Sequence, residues 1–282
     1  LSQMNVVVTS PRRMGKTALV DFVFQQEVIQ KDYFTIDVDI LHTTCFKEFI
    51  YALGTAAYDK IASRSDKMKR LFIATLRSLS ASFGYDPIQN TPTFDIKLGD
   101  ITTPDYTLRE IFNFMEQADK RCLVVIDEFQ QITKYPEKNI EAVLRSYIQK
   151  MSNANFVFAG SQRTVLEEMF LSSRRPFFQS AKLMQLDAIE LSVYQDFVVG
   201  HFREGGKDIN PEAVEVAYRS FRGVTLYMQR VMKDAYATTP QGATCDERLV
   251  EQLIDDFVAE NDYRIRGLLA YISEPQKEVL YA

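Results

Sequence analysis

The segment at residues 10–17, with the sequence SPRRMGKT, most constrains how this chain can fold. It follows the β-branched run at residues 6–8, which is typical of a strand, and it precedes a stretch with helical periodicity. In a strand–loop–helix unit of this kind, backbone N–H groups of the loop and of the first helical turn face inward and can surround phosphate oxygens. The segment therefore predicts a phosphate-binding loop.

The loop residues have distinct expected roles. Lys16 is expected to reach the β- and γ-phosphates of a nucleotide, and the Thr17 hydroxyl is expected to bind Mg²⁺. Ser10 stands where the motif G-x-x-x-x-G-K-[ST] begins with glycine. Because Pro11 favours an extended conformation that serine can adopt in the preceding residue, we expect the loop to close normally. The residues expected to contact the nucleotide are Pro11, Arg12, Arg13, Met14, Gly15, Lys16, Thr17 and Ala18.

A second motif ends in two carboxylates. Residues 122–126 are all apolar and mostly β-branched, which predicts a central parallel strand covered on both faces. Asp127 and Glu128 follow at its carboxyl end, where open α/β sheets bind ligands. Asp127 is expected to hold Mg²⁺, and Glu128 to orient and deprotonate an attacking water. An acidic pair that only caps the next element is the alternative, but both motifs in this order favour a nucleoside triphosphatase site.

Ser161 and Gln162 follow a third predicted strand at residues 155–160. At that strand tip, either side chain could hydrogen-bond the γ-phosphate or the attacking water, and we count Ser161 among the candidate catalytic residues. The alternative is that Ser161 is the N-cap of a helix at residues 163–170. The sequence leaves both roles open.

Composition excludes several other classes of protein. The 282 residues are 46% hydrophobic and 25% charged, as in soluble globular proteins. No apolar stretch approaches the roughly 20 residues that a membrane span needs. Two isolated histidines and three distant cysteines argue against a zinc site or a Ser-His-Asp triad. We expect a cytoplasmic protein without a membrane partner or signal peptide, and a fragment of a longer chain because Leu1 is not a start residue.

Strand and helix patterns alternate over the first 190 residues, which predicts an α/β fold with a parallel sheet. Strands are predicted at residues 5–9, 33–40, 121–127, 155–160 and 182–186. Helices are predicted at residues 15–30, 46–62, 66–83, 108–120, 139–151 and 163–170. Residues 84–106 contain three prolines and predict a long surface excursion. Beyond residue 189 only helices are predicted, at residues 193–203, 213–222, 225–237 and 246–261, with a last one beginning at Pro275.

Five short strings together resemble one family. The chain resembles the archaeal-type ATPases of the STAND branch of P-loop NTPases, which are related to AAA+ ATPases and are also common in bacteria. The resemblance extends from the first strand to the C-terminal helices. The strings are PRRMGKT at 11–17, VVIDEFQ at 124–130, FAGSQ at 158–162, RRPFF at 174–178 and FRGVTLYMQ at 221–229.

The resemblance implies a P-loop NTPase fold with a five-stranded sheet in the order 5-1-4-3-2, followed by a small helical lid. It implies a core at residues 1–190, a lid at 191–272 and the start of a winged-helix domain at 273–282. It also implies ATP or ADP with Mg²⁺ as cofactors, and a lid contact to the nucleotide at Gly223, although Thr225 stands where the family usually has proline. Expected partners are a protein effector, DNA through the rest of the winged helix, and further copies of the chain.

The sequence leaves more than one role open for each of two arginine pairs. The resemblance places an arginine finger, which acts across subunits, near Arg174 and Arg175, and we take Arg175 as the candidate. A solvated pair or a salt bridge to the core is the alternative. Arg12 and Arg13 are expected to anchor the loop or to contact the adenine side rather than to act in catalysis.

The leading functional hypothesis is a slow, Mg²⁺-dependent ATP-hydrolysing switch. The alternative is a nucleotide-bound scaffold for protein contacts with negligible turnover. Glu128 favours the first hypothesis because a pure binder needs no second carboxylate, whereas Ser10 and Thr225 favour the second. A kinase is the weaker third hypothesis, because no acceptor site is recognisable.

Overall fold

The structure is a computed structural model that describes residues 4–86, 91–94, 97–273 and 276. The chain divides into two compact units. The N-terminal unit comprises Leu1–Arg12 and Lys16–Leu186, and the C-terminal unit comprises Arg13–Gly15 and Asp187–Ala282. The helix predicted to begin at Pro275, and with it almost all of the predicted winged-helix start, lies outside the described residues.

A five-stranded parallel sheet forms the centre of the N-terminal unit, in the order β2-β5-β6-β1-β7. If only these five strands are numbered from 1 to 5 in chain order, the sheet read from β7 to β2 has the order 5-1-4-3-2. This order confirms the prediction. The strands of the described residues are β1 Asn5–Thr9, β2 Tyr33–Asp39, β3 Phe83–Asp86, β4 Thr91–Phe94, β5 Arg121–Asp127, β6 Ala154–Gly160, β7 Ala181–Gln185, β8 Asp208–Ile209 and β9 Thr244–Cys245.

Helices flank this sheet, and three of the predicted ones were wrong in extent. The helix predicted at residues 108–120 is α5, Pro104–Glu116. The helix predicted at residues 15–30 is two helices, and no glycine or proline marks the break. The helix predicted at residues 66–83 ends at Thr75, and a 3₁₀ turn, Arg77–Ser82, follows it. The α-helices of the N-terminal unit are α1 Lys16–Phe24, α2 Glu27–Asp32, α3 Phe46–Lys60, α4 Asp66–Thr75, α5 Pro104–Glu116, α6 Ile140–Ile148 and α7 Arg163–Leu171.

The excursion predicted at residues 84–106 is more regular than expected. Strands β3 and β4 pair as an antiparallel hairpin at the beginning of this stretch. A 3₁₀ turn, Leu98–Asp100, follows, and α5 starts at Pro104. Proline at the first helical position costs no hydrogen bond, because that N–H would have no partner within the helix. Pro104 therefore marks an element boundary, whereas Pro92 lies inside β4.

Four phenylalanine side chains pack together and hold the segment after β5 against the sheet. Phe129 lies at the start of a 3₁₀ turn, Phe129–Lys134, and its ring centroid is 4.5 Å from that of Phe158 on β6. Phe170 on α7 and Phe177 before β7 complete the cluster, with every pair of rings within 6.0 Å. All four are almost fully buried. Burial of aromatic side chains in tilted or edge-to-face contact stabilises the turn that carries the acidic motif.

The C-terminal unit is mainly helical, and its helices bury a hydrophobic core of their own. Residues from each helix contribute to that core, among them Tyr194, Val214, Met228 and Val250. The prediction of helices alone missed the short parallel pair formed by β8 and β9. Among the described residues, no helix is long and apolar enough to cross a membrane. The helices are α8 Leu191–Glu204, α9 Pro211–Ser220, α10 Thr225–Thr238 and α11 Glu247–Leu269.

The three cysteines give a direct test of this fold. Cys122 on β5 and Cys245 on β9 are fully buried, whereas Cys45 is partly exposed. Burial, and to a smaller extent the carboxylate of Glu116, raises the pKa of Cys122 to about 12. Because the thiolate is the reactive form, a disulfide reagent at pH 8 is expected to label one thiol per folded chain and three after denaturation. Fast labelling of all three in the native chain would contradict the arrangement of β5 and β9.

Candidate nucleotide-binding site

The loop between β1 and α1 accepts Ser10 without backbone strain. Ser10 is fully buried, its hydroxyl donates to the Pro11 carbonyl at 3.1 Å, and it is not among the residues with a positive φ. The glycine missing from the motif is therefore not required for conformation here. Gly15 is different, since its φ of +90° lies in a region that side chains disfavour. The backbone conformation therefore explains why glycine stands immediately before Lys16.

Arg13, Met14 and Gly15 group with the C-terminal unit. Arg13 has a φ of +71°, and within that unit its carbonyl accepts a hydrogen bond from the Leu226 N–H at 3.1 Å. Its guanidinium lies 5.1 Å from the ring centroid of Tyr227, a cation–π contact. The side chain of Arg13 therefore contacts Tyr227, and its role toward a nucleotide stays a prediction.

Lys16 and Thr17 open α1 as the motif predicts. Lys16 is only 8% exposed, and no salt bridge in the described part of the chain includes it. A buried cation of this kind is stabilised by an anion, which a phosphate would supply. The Thr17 hydroxyl donates to Asp127 Oδ2 at 3.4 Å. The first turn of α1 and the acidic motif therefore meet at the carboxyl edge of the sheet.

Asp127 is the last residue of β5, and Glu128 follows it in a different backbone conformation. Asp127 Oδ1 accepts the N–H of Glu128 at 2.9 Å, while Glu128 has a φ of +55°. A left-handed conformation in a residue other than glycine is uncommon and often occurs at functional sites. On the neighbouring strand, Asp39 lies in register with Asp127. The carboxyl ends of β2 and β5 therefore carry more acidic residues than the sequence motif indicated.

The Glu128 carboxylate is held by donors from two segments. Glu128 Oε2 accepts the Ser161 hydroxyl at 2.9 Å, the Ser161 N–H at 3.4 Å and the side-chain amide of Gln130. Burial by itself would raise the pKa of Glu128, but the hydrogen bonds from Gln130 and Ser161 and the charge of Lys16 together lower it. A carboxylate with a lowered pKa is ionised at neutral pH, as a general base must be.

Ser161 is not the N-cap of α7. That position belongs to Gln162, and no side-chain capping bond is made there. Ser161 instead binds Glu128, and its hydroxyl also accepts a 3.4 Å hydrogen bond from Arg12 Nε. The structure thus joins Arg12, Ser161 and Glu128, three residues that the sequence predicted separately. The capping interpretation was wrong because α7 starts two residues after Ser161.

Two predicted site residues lie in other surroundings. Arg175 Nη2 is 2.5 Å from Glu141 Oε1, and its Nη1 is 3.7 Å from Glu168 Oε1. The salt-bridge alternative therefore describes Arg175 in this structure. Gly223 lies between α9 and α10 in the C-terminal unit with a φ of +73°, and an added Cβ would meet the Ala188 side chain at 2.6 Å. Gly223 thus has a conformational role apart from any nucleotide contact.

Gln130, Asp37 and Asp39 are site residues that the sequence reasoning missed. Gln130 is the last letter of the string VVIDEFQ, and the signal for it was a pair of polar residues between apolar Phe129 and Ile132. Asp37 precedes Asp39 by two on β2, so both side chains lie on one face of the sheet. Partial burial, together with the carboxylates of Asp127, Asp21 and Asp39, raises the pKa of Asp37.

The residues present fit Mg²⁺ with a nucleotide. The Thr17 hydroxyl and the Asp127 carboxylate are close enough to share one cation, and Lys16 offers a buried positive charge. In the described residues no three His, Cys, Asp or Glu side chains form a metal cage. Because Mg²⁺ is usually held by one or two protein oxygens together with water and phosphate, a sparse ligand set is what such a site requires.

Three solved structures share this fold at low sequence identity. A Walker-type ATPase of Pyrococcus abyssi matches 96% of this chain and 71% of its own, with a TM-score of 0.62 and 14% identity. The Aeropyrum pernix ORC2 protein, in ADPNP–ADP complexes, matches 91% of this chain and 62% of its own, with a TM-score of 0.56 and 14% identity. The Aeropyrum pernix ORC1 protein, in complex with DNA, matches 99% and 65%, with a TM-score of 0.54 and 13% identity.

These similarities show that the N-terminal sheet and its helices have the P-loop NTPase fold. The chain spans less than two thirds of the two ORC proteins. No protein-family model matches the sequence, and no curated protein does.

Proposed function

We propose that this chain is a Mg²⁺-dependent, ATP-binding and ATP-hydrolysing switch of the STAND type within the AAA+-related P-loop NTPases. One observation carries the proposal: Lys16 is buried without a salt bridge in the described residues, beside a Thr17–Asp127 contact and an anchored Glu128. A buried cation, a metal-binding pair and a base at the same sheet edge are the parts that phosphoryl transfer to water requires.

Each residue has a role in this proposal. Lys16 and the loop N–H groups bind the β- and γ-phosphates. Thr17 and Asp127 hold Mg²⁺, which on binding neutralises the charge that develops on the phosphate oxygens. Glu128 accepts a proton from the attacking water. Ser161 orients Glu128 through its hydroxyl and its N–H.

The nature of the nucleotide and of the partners rests on similarity. The ORC2 structure contains ADPNP and ADP, and the ORC1 structure contains DNA. We therefore take ATP as the nucleotide, and we keep a protein effector, DNA bound through a winged helix and a homo-oligomer as parts of the proposal. In an oligomer, Arg175 would act as a finger only after leaving Glu141. The C-terminal helical unit is proposed as the lid, with Gly223 as its nucleotide contact.

Metal removal tests the proposed mechanism. With excess EDTA, turnover is expected to fall at least 100-fold, because stabilisation of the transferring phosphoryl charge by a metal ion is worth several kcal/mol. The measurement is phosphate release at saturating ATP with Mg²⁺, with EDTA, and after Mg²⁺ is restored. Equal phosphate release with and without EDTA would contradict the assignment of Thr17 and Asp127.

A further inference from the structure

Gln130 lies two residues after Glu128 in the turn Phe129–Lys134 and is 2% exposed. Its side-chain Nε2 donates to Glu128 Oε2. We propose that Gln130 is a positioning residue that fixes the Glu128 carboxylate for attack by water. This role rests on the proposed function, because it concerns the base of the proposed hydrolysis.

The two oxygens of the Glu128 carboxylate differ in the hydrogen bonds that they accept. Oε2 accepts the Gln130 amide, the Ser161 hydroxyl and the Ser161 N–H. Among the described residues no hydrogen bond is made to Oε1. A carboxylate anchored through one oxygen keeps the lone pairs of the other for water. Gln130 and Ser161 together therefore orient Oε1 as the proton acceptor.

The contact with Glu128 leaves the oxygen of the Gln130 amide unpaired, which costs free energy. Only the NH₂ group of an amide can donate to a carboxylate, so the amide oxygen must point away from Glu128. That oxygen, Gln130 Oε1, is buried and has no hydrogen-bond partner in the described part of the chain. A buried acceptor left unpaired is unfavourable, and such groups are often retained where they serve a site.

Gly160 at the end of β6 provides the space for Gln130. An added Cβ at Gly160 would lie 2.0 Å from Gln130 Oε1 and 3.1 Å from its Cδ. The φ of Gly160 is outside the left-handed region, so its backbone conformation does not require glycine. The absence of a side chain at Gly160 is therefore explained by the space that the Gln130 amide and Leu166 Cδ1 occupy.

Replacement of Gln130 by methionine is the main test, because methionine has a similar length and no donor. We expect kcat to fall about tenfold, a part of the 10²–10⁴ that a general base contributes. The KM and the dissociation constant for ATP are expected to stay within about twofold, since Gln130 contacts Glu128 and not the nucleotide. The matched control is Gln131→Met, because Gln131 Nε2 donates to the Thr43 carbonyl at 2.9 Å instead. That control is expected to leave kcat unchanged.

A second readout needs no nucleotide. In the nucleotide-free chain, the side-chain amide protons of Gln130, assigned by their loss in Gln130→Met, are expected to exchange slowly with solvent in ¹⁵N NMR spectra. Glu128→Ala is expected to shift their resonance and speed their exchange, because it removes their acceptor. Unchanged resonance and exchange in Glu128→Ala would overturn the contact itself.

The substitution Gly160→Ala tests the same contact, because the added Cβ would displace the Gln130 amide. It is expected to lower kcat as Gln130→Met does, and to lower kcat no further in a Gln130→Ala background, where the Gln130 amide no longer occupies the space. Melting temperatures of all variants exclude unfolding, since Leu166 Cδ1 also lies 2.7 Å from the added Cβ. Normal kcat in Gln130→Met beside active wild type would overturn the role of Gln130 alone. Absence of turnover in the wild type would overturn the proposed function and this role together.

Discussion

Replacement of Lys16 by alanine is expected to weaken ATP binding about 100-fold, close to 2.7 kcal/mol. Lys16 is 8% exposed and has no salt bridge in the described part of the chain, so a bound phosphate would be its counter-ion in a site largely shielded from water. Charge-assisted hydrogen bonds are about twice as strong as neutral ones. The measurement is a titration with a fluorescent ATP analogue, or calorimetry.

The control for Lys16→Ala is Lys31→Ala, which removes an exposed lysine in the last turn of α2. It is expected to bind ATP as the wild type does. An unchanged melting temperature would show that Lys16→Ala is folded, and it is expected because Lys16 makes no salt bridge among the described residues. Wild-type affinity in folded Lys16→Ala would place the nucleotide elsewhere and contradict the loop assignment.

Replacement of Glu128 by glutamine is expected to lower kcat between about 10²-fold and 10⁴-fold, the range that a general base contributes. The amide keeps the shape of the carboxylate but accepts a proton poorly. ATP affinity is expected to stay within about twofold, because Glu128 acts on water and not on the phosphate chain. Single-turnover phosphate release and equilibrium binding separate the two quantities.

The control for Glu128→Gln is Glu167→Gln, which neutralises a carboxylate paired with Arg163 on α7. Its turnover is expected to match that of the wild type. Equal phosphate release by Glu128→Gln and the wild type would mean that Glu128 is not the base. ATP binding without measurable release in either protein would favour the scaffold.

The sheet was predictable because its strands are marked by composition. The β-branched runs of β1 and β5 are buried on both faces, and acidic residues mark the carboxyl end of β5. Strand order required the family resemblance, since no local pattern encodes which parallel strands pair. The break between α1 and α2 was missed because no glycine or proline marks it. The hairpin of β3 and β4 was missed because Pro92 stands inside β4, and a proline argues against a strand prediction.

The candidate site was predictable at the level of residue types, and less so in its contacts. The motifs indicated Lys16, Thr17 and Glu128, each of which lies at the carboxyl edge of the sheet. The pairing of Arg175 with Glu141 depends on the distance between α6 and the loop before β7, which sequence does not give. The Gln130 contact depends on the missing side chain at Gly160, a relation between residues far apart in the chain.

Phosphate release from ATP by the wild-type chain, measured together with equilibrium ATP binding in the presence of Mg²⁺, tests the central claim most directly. The proposed switch predicts saturable ATP binding and slow release that continues for many turnovers and disappears in Glu128→Gln. Absence of ATP binding, or binding with no release above the Glu128→Gln background, would contradict hydrolysis by this site.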